Sequence, residues 1–217
     1  MTPEMPQGSA KFYPPAEEKF NIISHALGML LSVFGLVLLL FVAADSNHWS
    51  YWVAMPVFGL SLLALYTSST CYHLAREPAR RQRLRVVDHA MIYVLIAGTY
   101  TPFMLIVLPG VLGYSILALA WGMALLGICL KLFFTGRFEL VSTFLYVLMG
   151  WAIVFAFKPL AENMAAEGLY WLIAGGLSYT AGAIIYAIKK VPFNHAIFHV
   201  FVLLGSASHF ISVYRYL

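Results

Sequence analysis

The chain has 217 residues, 62% of them hydrophobic and only 10% charged, with a formal net charge of +4. A water-soluble domain carries roughly a quarter charged residues and under half apolar ones, so most of this surface must face lipid. The basic residues fall in short clusters between apolar runs rather than over one wet face, which argues against nucleic acid as a partner.

Residues 1–20 are polar and Pro-containing and read as an N-terminal tail ahead of one transmembrane domain over 21–217. The first apolar run ends in Val42-Ala43-Ala44, which faintly resembles a cleavage site. The run is too long for a signal-peptide core and more spans follow, so no cleavage is expected. A span needs about 20 mainly apolar residues. Seven stretches qualify: Asn21–Ala44, Tyr51–His73, Val86–Leu108, Leu112–Phe134, Phe138–Phe157, Gly168–Ile188 and Phe193–Tyr214. The connections are short, at 45–50, 76–85, 109–110, 135–137, 158–167 and 189–192. These runs are continuous rather than alternating in polarity, which predicts an all-α, seven-helix membrane bundle and not a barrel. Cys71 and Cys129 lie inside apolar segments and imply no disulfide framework.

Loop charge predicts the orientation. Lys11, Lys19, Arg76, Arg80, Arg81, Arg83, Arg85, Lys131, Arg137, Lys189 and Lys190 fall on one side, leaving Lys158 and Arg215 on the other. The positive-inside rule puts the N-terminus in the cytosol, and an odd number of spans puts the C-terminus outside. The cluster Arg80, Arg81, Arg83 and Arg85 reads as a topology signal and an anchor for anionic lipid.

Ionisable side chains inside spans are costly, and each one points to a functional site. They are His25, His73, Asp88, His89, His195, His199 and His209. His73 ends the second predicted span, Asp88 begins the third, and His195 and His199 open the seventh. Asn21, Ser24 and His25 open the first. All fall at one predicted membrane depth, on the cytosolic side. His195 and His199 are four apart and share a helix face, as do Ser69 and His73. Two such imidazoles plus one from another helix make a three-histidine zinc shell with a fourth position open. Asp88 is then placed to hold a water or orient a ligand. Hydrogen-bonded interhelical histidines would produce a similar pattern. His209 lies ten residues further along the same span and reads as structural or channel-lining. His89 points about 100° from Asp88 around its helix and reads as packing. His25 is open between supporting a ligand and packing, and His48 reads as a solvated loop residue. Gly175-Gly176 suits close helix packing.

Several of these residues also carry a family resemblance. Glu18-x2-Asn21-x2-Ser24-His25, Ser69-x3-His73, Asp88-His89, the run Ala97–Phe103 and Asn194-His195-Ala196-Ile197-Phe198-His199 resemble the bacterial hemolysin III family, within the progestin and adipoQ receptor superfamily. The resemblance extends from Glu17 to the C-terminus. It implies zinc on His73, His195 and His199, with Ser69 and Asp88 beside it and Glu18, Asn21, Ser24 and His25 in support. It also implies a multi-pass protein of the bacterial cytoplasmic (inner) membrane. Relatives of the superfamily are linked to ceramidase-like hydrolysis of lipid amides.

Three functions are therefore expected to compete. The first is a zinc-dependent hydrolase of lipid amide or ester bonds, with Asp88 as base or water orienter and Ser69 as hydrogen-bond donor. The second is a non-catalytic, zinc-stapled lipid sensor or membrane-homeostasis protein. The third is a cytolysin, for which the sequence offers no amphipathic pore hairpin.

Overall fold

The computed structural model describes residues 10–134 and 139–217, so residues 1–9 of the predicted tail, the predicted turn at 135–137 and the predicted span start at Phe138 lie outside it. Among the described residues, seven helical spans are long and apolar enough to cross a membrane. They are α1 (Pro15–Asp45), α2 (Trp49–Leu74), α3 (Pro78–Pro102) with a π turn over Phe103–Val107, α4 (Val111–Phe134), α5 (Glu139–Trp151) with its continuation α6 (Phe157–Asn163), α7 (Ala166–Ala187) and α8 (Asn194–Tyr216). No strand occurs among the described residues. Large apolar side chains such as Phe34, Phe41, Leu126 and Phe155 are exposed around the outside, as a lipid-facing surface requires.

Three helix boundaries differ from the sequence expectation by more than two residues. Helix α1 starts at Pro15, six residues before the predicted span, because proline suits the first helical turn and Glu17 and Glu18 complement the helix dipole there. Helix α3 starts at Pro78 for the same proline reason, so most of the predicted loop at 76–85 is helical. The fifth span continues past Phe157 to Asn163, with a 3-10 stretch at Ala152–Ala156. Pro159 has no N–H for the carbonyl four residues back, which accounts for that break.

Short connections make sequential helices antiparallel neighbours. Helix α1 packs on α2 and α8, α2 on α3, α3 on α4, and α7 on α8. The starts of α1, α3, α5 and α8 and the ends of α2, α4 and α7 therefore share one end of the bundle, here called the N-terminal end. Tyr100, in the Ala97–Phe103 motif, donates to the carbonyls of Met149 (2.9 Å) and Gly150 (3.0 Å), tying α3 to α5. Trp121 donates to Thr101 at 3.2 Å and adds α4.

The Gly-rich contact lies mainly on Gly175. A Cβ there would come within 2.6 Å of the buried His209 ring, whereas at Gly122 it would meet nothing within 4 Å. Gly175→Leu is expected to cost about 1–3 kcal/mol and to lower the thermal unfolding temperature in detergent. Gly122→Leu should leave that temperature unchanged; equal melting of the two variants would refute this packing assignment.

Candidate metal centre

The end of α2 and the start of α8 build the site. Helix α8 begins immediately after Phe193, whose backbone is left-handed (φ 56), an uncommon conformation for a bulky residue. Asn194 donates to the Tyr186 carbonyl at 3.0 Å, fastening the start of α8 to the end of α7. The His195 N–H donates to Glu17 Oε1 at 3.3 Å, so α1 caps α8. That placement turns His195 and His199 toward His73.

The three histidines are buried, and one ring nitrogen from each lies within 4.8 Å of the others. Nε2 of His195 and Nε2 of His73 are 3.2 Å apart. Two nitrogens bound at about 2.1 Å to one tetrahedral ion sit roughly 3.4 Å apart, so this pair has dimensions compatible with zinc. The outer nitrogens of His73 and His199 support the same polarity, while Nδ1 of His195 is buried without a hydrogen-bond partner. His73 Nδ1 faces Glu18 Oε1 at 3.3 Å, and since a carboxylate only accepts, Nδ1 carries the proton and Nε2 the lone pair. His199 Nδ1 faces Ser24 Oγ at 3.4 Å, while Ser24 donates its own proton to the Asn21 carbonyl at 3.2 Å. This again leaves Nε2 as the lone-pair atom. Ligating histidines usually donate their other ring N–H in this way. A single proton could serve the His73–His195 pair, but it would not engage His199. A metal ion held by three imidazoles fits the whole donor set.

Around the triad the structure gathers several predicted residues and separates others. His25 stacks on His199 with ring centroids 3.5 Å apart, and neither of its nitrogens has a hydrogen-bond partner. Both side-chain polar atoms of Asn21 and the Ser69 hydroxyl are likewise buried without partners. Asp88, Ser69, His25, His195 and His199 line one cavity of about 210 Å³. The same cavity reaches His209, which is ten residues (roughly 15 Å) further along α8 and apart from the triad. His89 Nδ1 donates to the Arg85 carbonyl at 2.7 Å, and its ring borders the cavity. His48 is exposed.

Two residue groups depart from the sequence expectation. Arg80 and Arg83 are exposed, but Arg81 and Arg85 are buried, so these two do not present their guanidinium groups to lipid. Arg81 is 1% exposed because its guanidinium turns inward. It donates to the carbonyls of Tyr72 (3.3 Å), His73 (3.2 Å) and Ala75 (3.1 Å) at the end of α2, and to Lys11 (2.6 Å). It also forms an ion pair with Glu18 Oε1 at 2.6 Å. Lys131, counted among the basic residues of the cytosolic side, is buried on α4 and donates to Ser142 at 2.6 Å. Tyr13 was missed altogether: it stacks on His195 at 4.5 Å and covers the triad from the end of the bundle. Its only sequence signal is an aromatic residue just before a Pro-Pro helix start.

The site and fold define a class: a multi-pass helical membrane protein with a three-histidine cluster, able to hold a metal ion, at one end of an internal cavity. The sequence matches the Haemolysin-III related family over residues 14–210, and the chain belongs to that family. It is 48% identical over 202 residues to the hemolysin-3 homolog of Bacillus subtilis, covering 92% of this chain and 94% of that one. It is 46% identical over 200 residues to hemolysin-3 of Bacillus cereus, covering 92% and 91%. The human monocyte to macrophage differentiation factor is 28% identical over 209 residues, covering 93% of this chain and 84% of that one. This more distant match supports the superfamily placement.

Protein purified without chelators is expected to carry one metal ion per chain by elemental analysis. His195→Ala should lose it, while His89→Ala and His209→Ala should retain it. Retention by His195→Ala, with the fold intact, would remove the triad as the binding site.

Proposed function

We propose that this protein is a zinc-dependent hydrolase of lipid amide or ester bonds in the bacterial cytoplasmic membrane, with its metal centre near the cytosolic face. The observation that carries the reading is the three-imidazole cluster beside a mainly apolar cavity, which its members His195 and His199 line together with Asp88 and Ser69. Zinc is the ion best matched to three imidazoles where no redox chemistry is needed. When bound it supplies Lewis acidity, polarising a carbonyl and lowering the pKa of a coordinated water.

The chain's own residues supply the rest. His73, His195 and His199 hold the ion. Asp88 takes a proton from the attacking water and returns it to the leaving nitrogen or oxygen. The carbonyl carbon thereby gains the water oxygen and loses the amine or alcohol, releasing a fatty acid. The Ser69 hydroxyl, buried without a partner, donates to the oxygen that gains charge. Ile92, Ile96, Leu172 and Val202 line the cavity beyond and take the acyl chain. The cytosolic placement is supported by Lys11, Lys19, Arg76 and Lys189, which lie at the N-terminal end of the bundle.

One observation favours the second reading, a zinc-stapled lipid sensor. His73 belongs to α2 and the other two histidines to α8, helices that are joined largely through α1. An ion there would cross-link them whether or not turnover occurs.

Asp88→Ala separates the two. It should keep its zinc and its melting temperature while release of fatty acid from a panel of lipid amides and esters falls by about 10²–10⁴-fold. Undiminished release would remove Asp88 from the reaction. Absence of turnover in the wild type on every lipid of the panel would favour the sensor.

A further inference from the structure

Arg81 does more than a lipid anchor or a helix cap needs. Its Nη1 and Nε groups are committed to four backbone carbonyls, three of them at the end of α2 and one at Lys11. Those bonds, with the rings of Phe12 and Tyr72 at 4.5 and 4.6 Å, fix the guanidinium plane. The remaining nitrogen, Nη2, lies 2.6 Å from Glu18 Oε1 as an ion pair across the α1–α3 gap. That same oxygen faces His73 Nδ1 at 3.3 Å.

We propose that Arg81 is a positioning residue for the metal centre, holding the Glu18 carboxylate where it fixes the ring of His73. The inference rests on the triad as a metal site, and not on hydrolysis. A ring that donates from Nδ1 keeps Nε2 bare and directed at the other two ligands, and its plane is set by the acceptor. Glu18 can serve as that acceptor only while its own orientation is set. It stands on α1, a different helix from His73, and nothing on α2 other than His73 is seen to hold it. Arg81 supplies the constraint from α3 and binds the backbone of His73 itself, so ligand backbone and ligand ring are referred to one rigid group. The fork of an arginine can do this, whereas a lysine ammonium cannot direct donors to several separate acceptors in fixed directions.

The test uses the full-length protein in detergent, loaded with zinc for affinity by chelator competition and with Co²⁺ for the visible spectrum. Arg81→Met and Glu18→Gln are each expected to weaken zinc binding by about 10–100-fold and to shift the Co²⁺ bands. The double variant should bind no more weakly than the weaker single one, since both changes remove the same constraint. Losses that multiply in the double variant would break the proposed route through Glu18. An Arg81→Met protein that melts lower but keeps wild-type affinity and spectrum would reduce Arg81 to a helix cap and overturn the proposal. If Arg81→Met does not fold, Arg81→Lys decides: a smaller loss in the same direction supports the proposal, and unchanged affinity and spectrum refute it. A wild type that binds no zinc would instead remove the triad itself.

Discussion

Polar atoms in a bilayer must be satisfied from within the protein, because hydrocarbon offers no hydrogen bonds. The N-terminal end of this bundle is organised by that requirement. The carbonyls at the end of α2 run out of partners along their own helix, where only that of Tyr72 still accepts from the Ala75 N–H, and Arg81 turns inward from α3 to donate to those of Tyr72, His73 and Ala75. Its charge then needs a counter-charge, which Glu18 provides from α1. Glu18 in turn accepts from His73, and its neighbour Glu17 caps the first turn of α8 beside His195. Adjacent positions on a helix diverge by about 100°, so two consecutive carboxylates can reach two different helices. The ends of four helices are joined by this one set of contacts.

Away from that end, polar side chains are mostly satisfied locally. Ser32, Thr70, Thr99, Thr101, Thr180 and Ser208 each donate to the carbonyl four residues earlier, the usual arrangement inside membrane helices. Asn21, His25 and Ser69 behave differently, being buried with polar atoms that meet no protein partner. Native structures leave few such groups, and a concentration of them signals a place built for a ligand, an ion or water. Their position next to the triad separates a ligand-accepting region from a merely packed core.

Much of this was legible in the sequence. Continuous apolar runs were enough for seven helices, since spanning length and backbone satisfaction leave little choice. The i and i+4 spacing of His195 and His199 was enough to put both on one face. What could not be read was direction around the helix at the bundle ends. Arg81 and Arg85 sit in a basic cluster whose composition is that of a surface, and only the placement of α2 and α1 against α3 turns them inward. Tyr13 shares the difficulty, because its contact with His195 bridges residues far apart in the chain. The early starts of α1 and α3 were in principle visible, as Pro15 followed by two glutamates and Pro78 after Glu77 are helix-start signals. Hydropathy outweighed them, because it marks where lipid begins rather than where a helix begins.

A catalytic metal site and a structural one differ most plainly in the fourth coordination position. A structural site fills it with a protein ligand, and among the described residues the cluster offers three histidines and no fourth ligand group within the same reach. His25 stacks face to face on His199 and is not among the residues whose ligand atoms converge. The cavity that His195 and His199 line also holds Asp88 and Ser69 and continues past Ile96 and Val202 toward His209, so a ligand from this side would meet the triad beside those two side chains. Tyr13 covers the opposite side. Under the proposed hydrolase reading, an acyl group would approach along the bundle interior, its chain in the apolar length of the cavity and its carbonyl at the polar end. On that reading the three-histidine cluster would do more than cross-link α2 and α8.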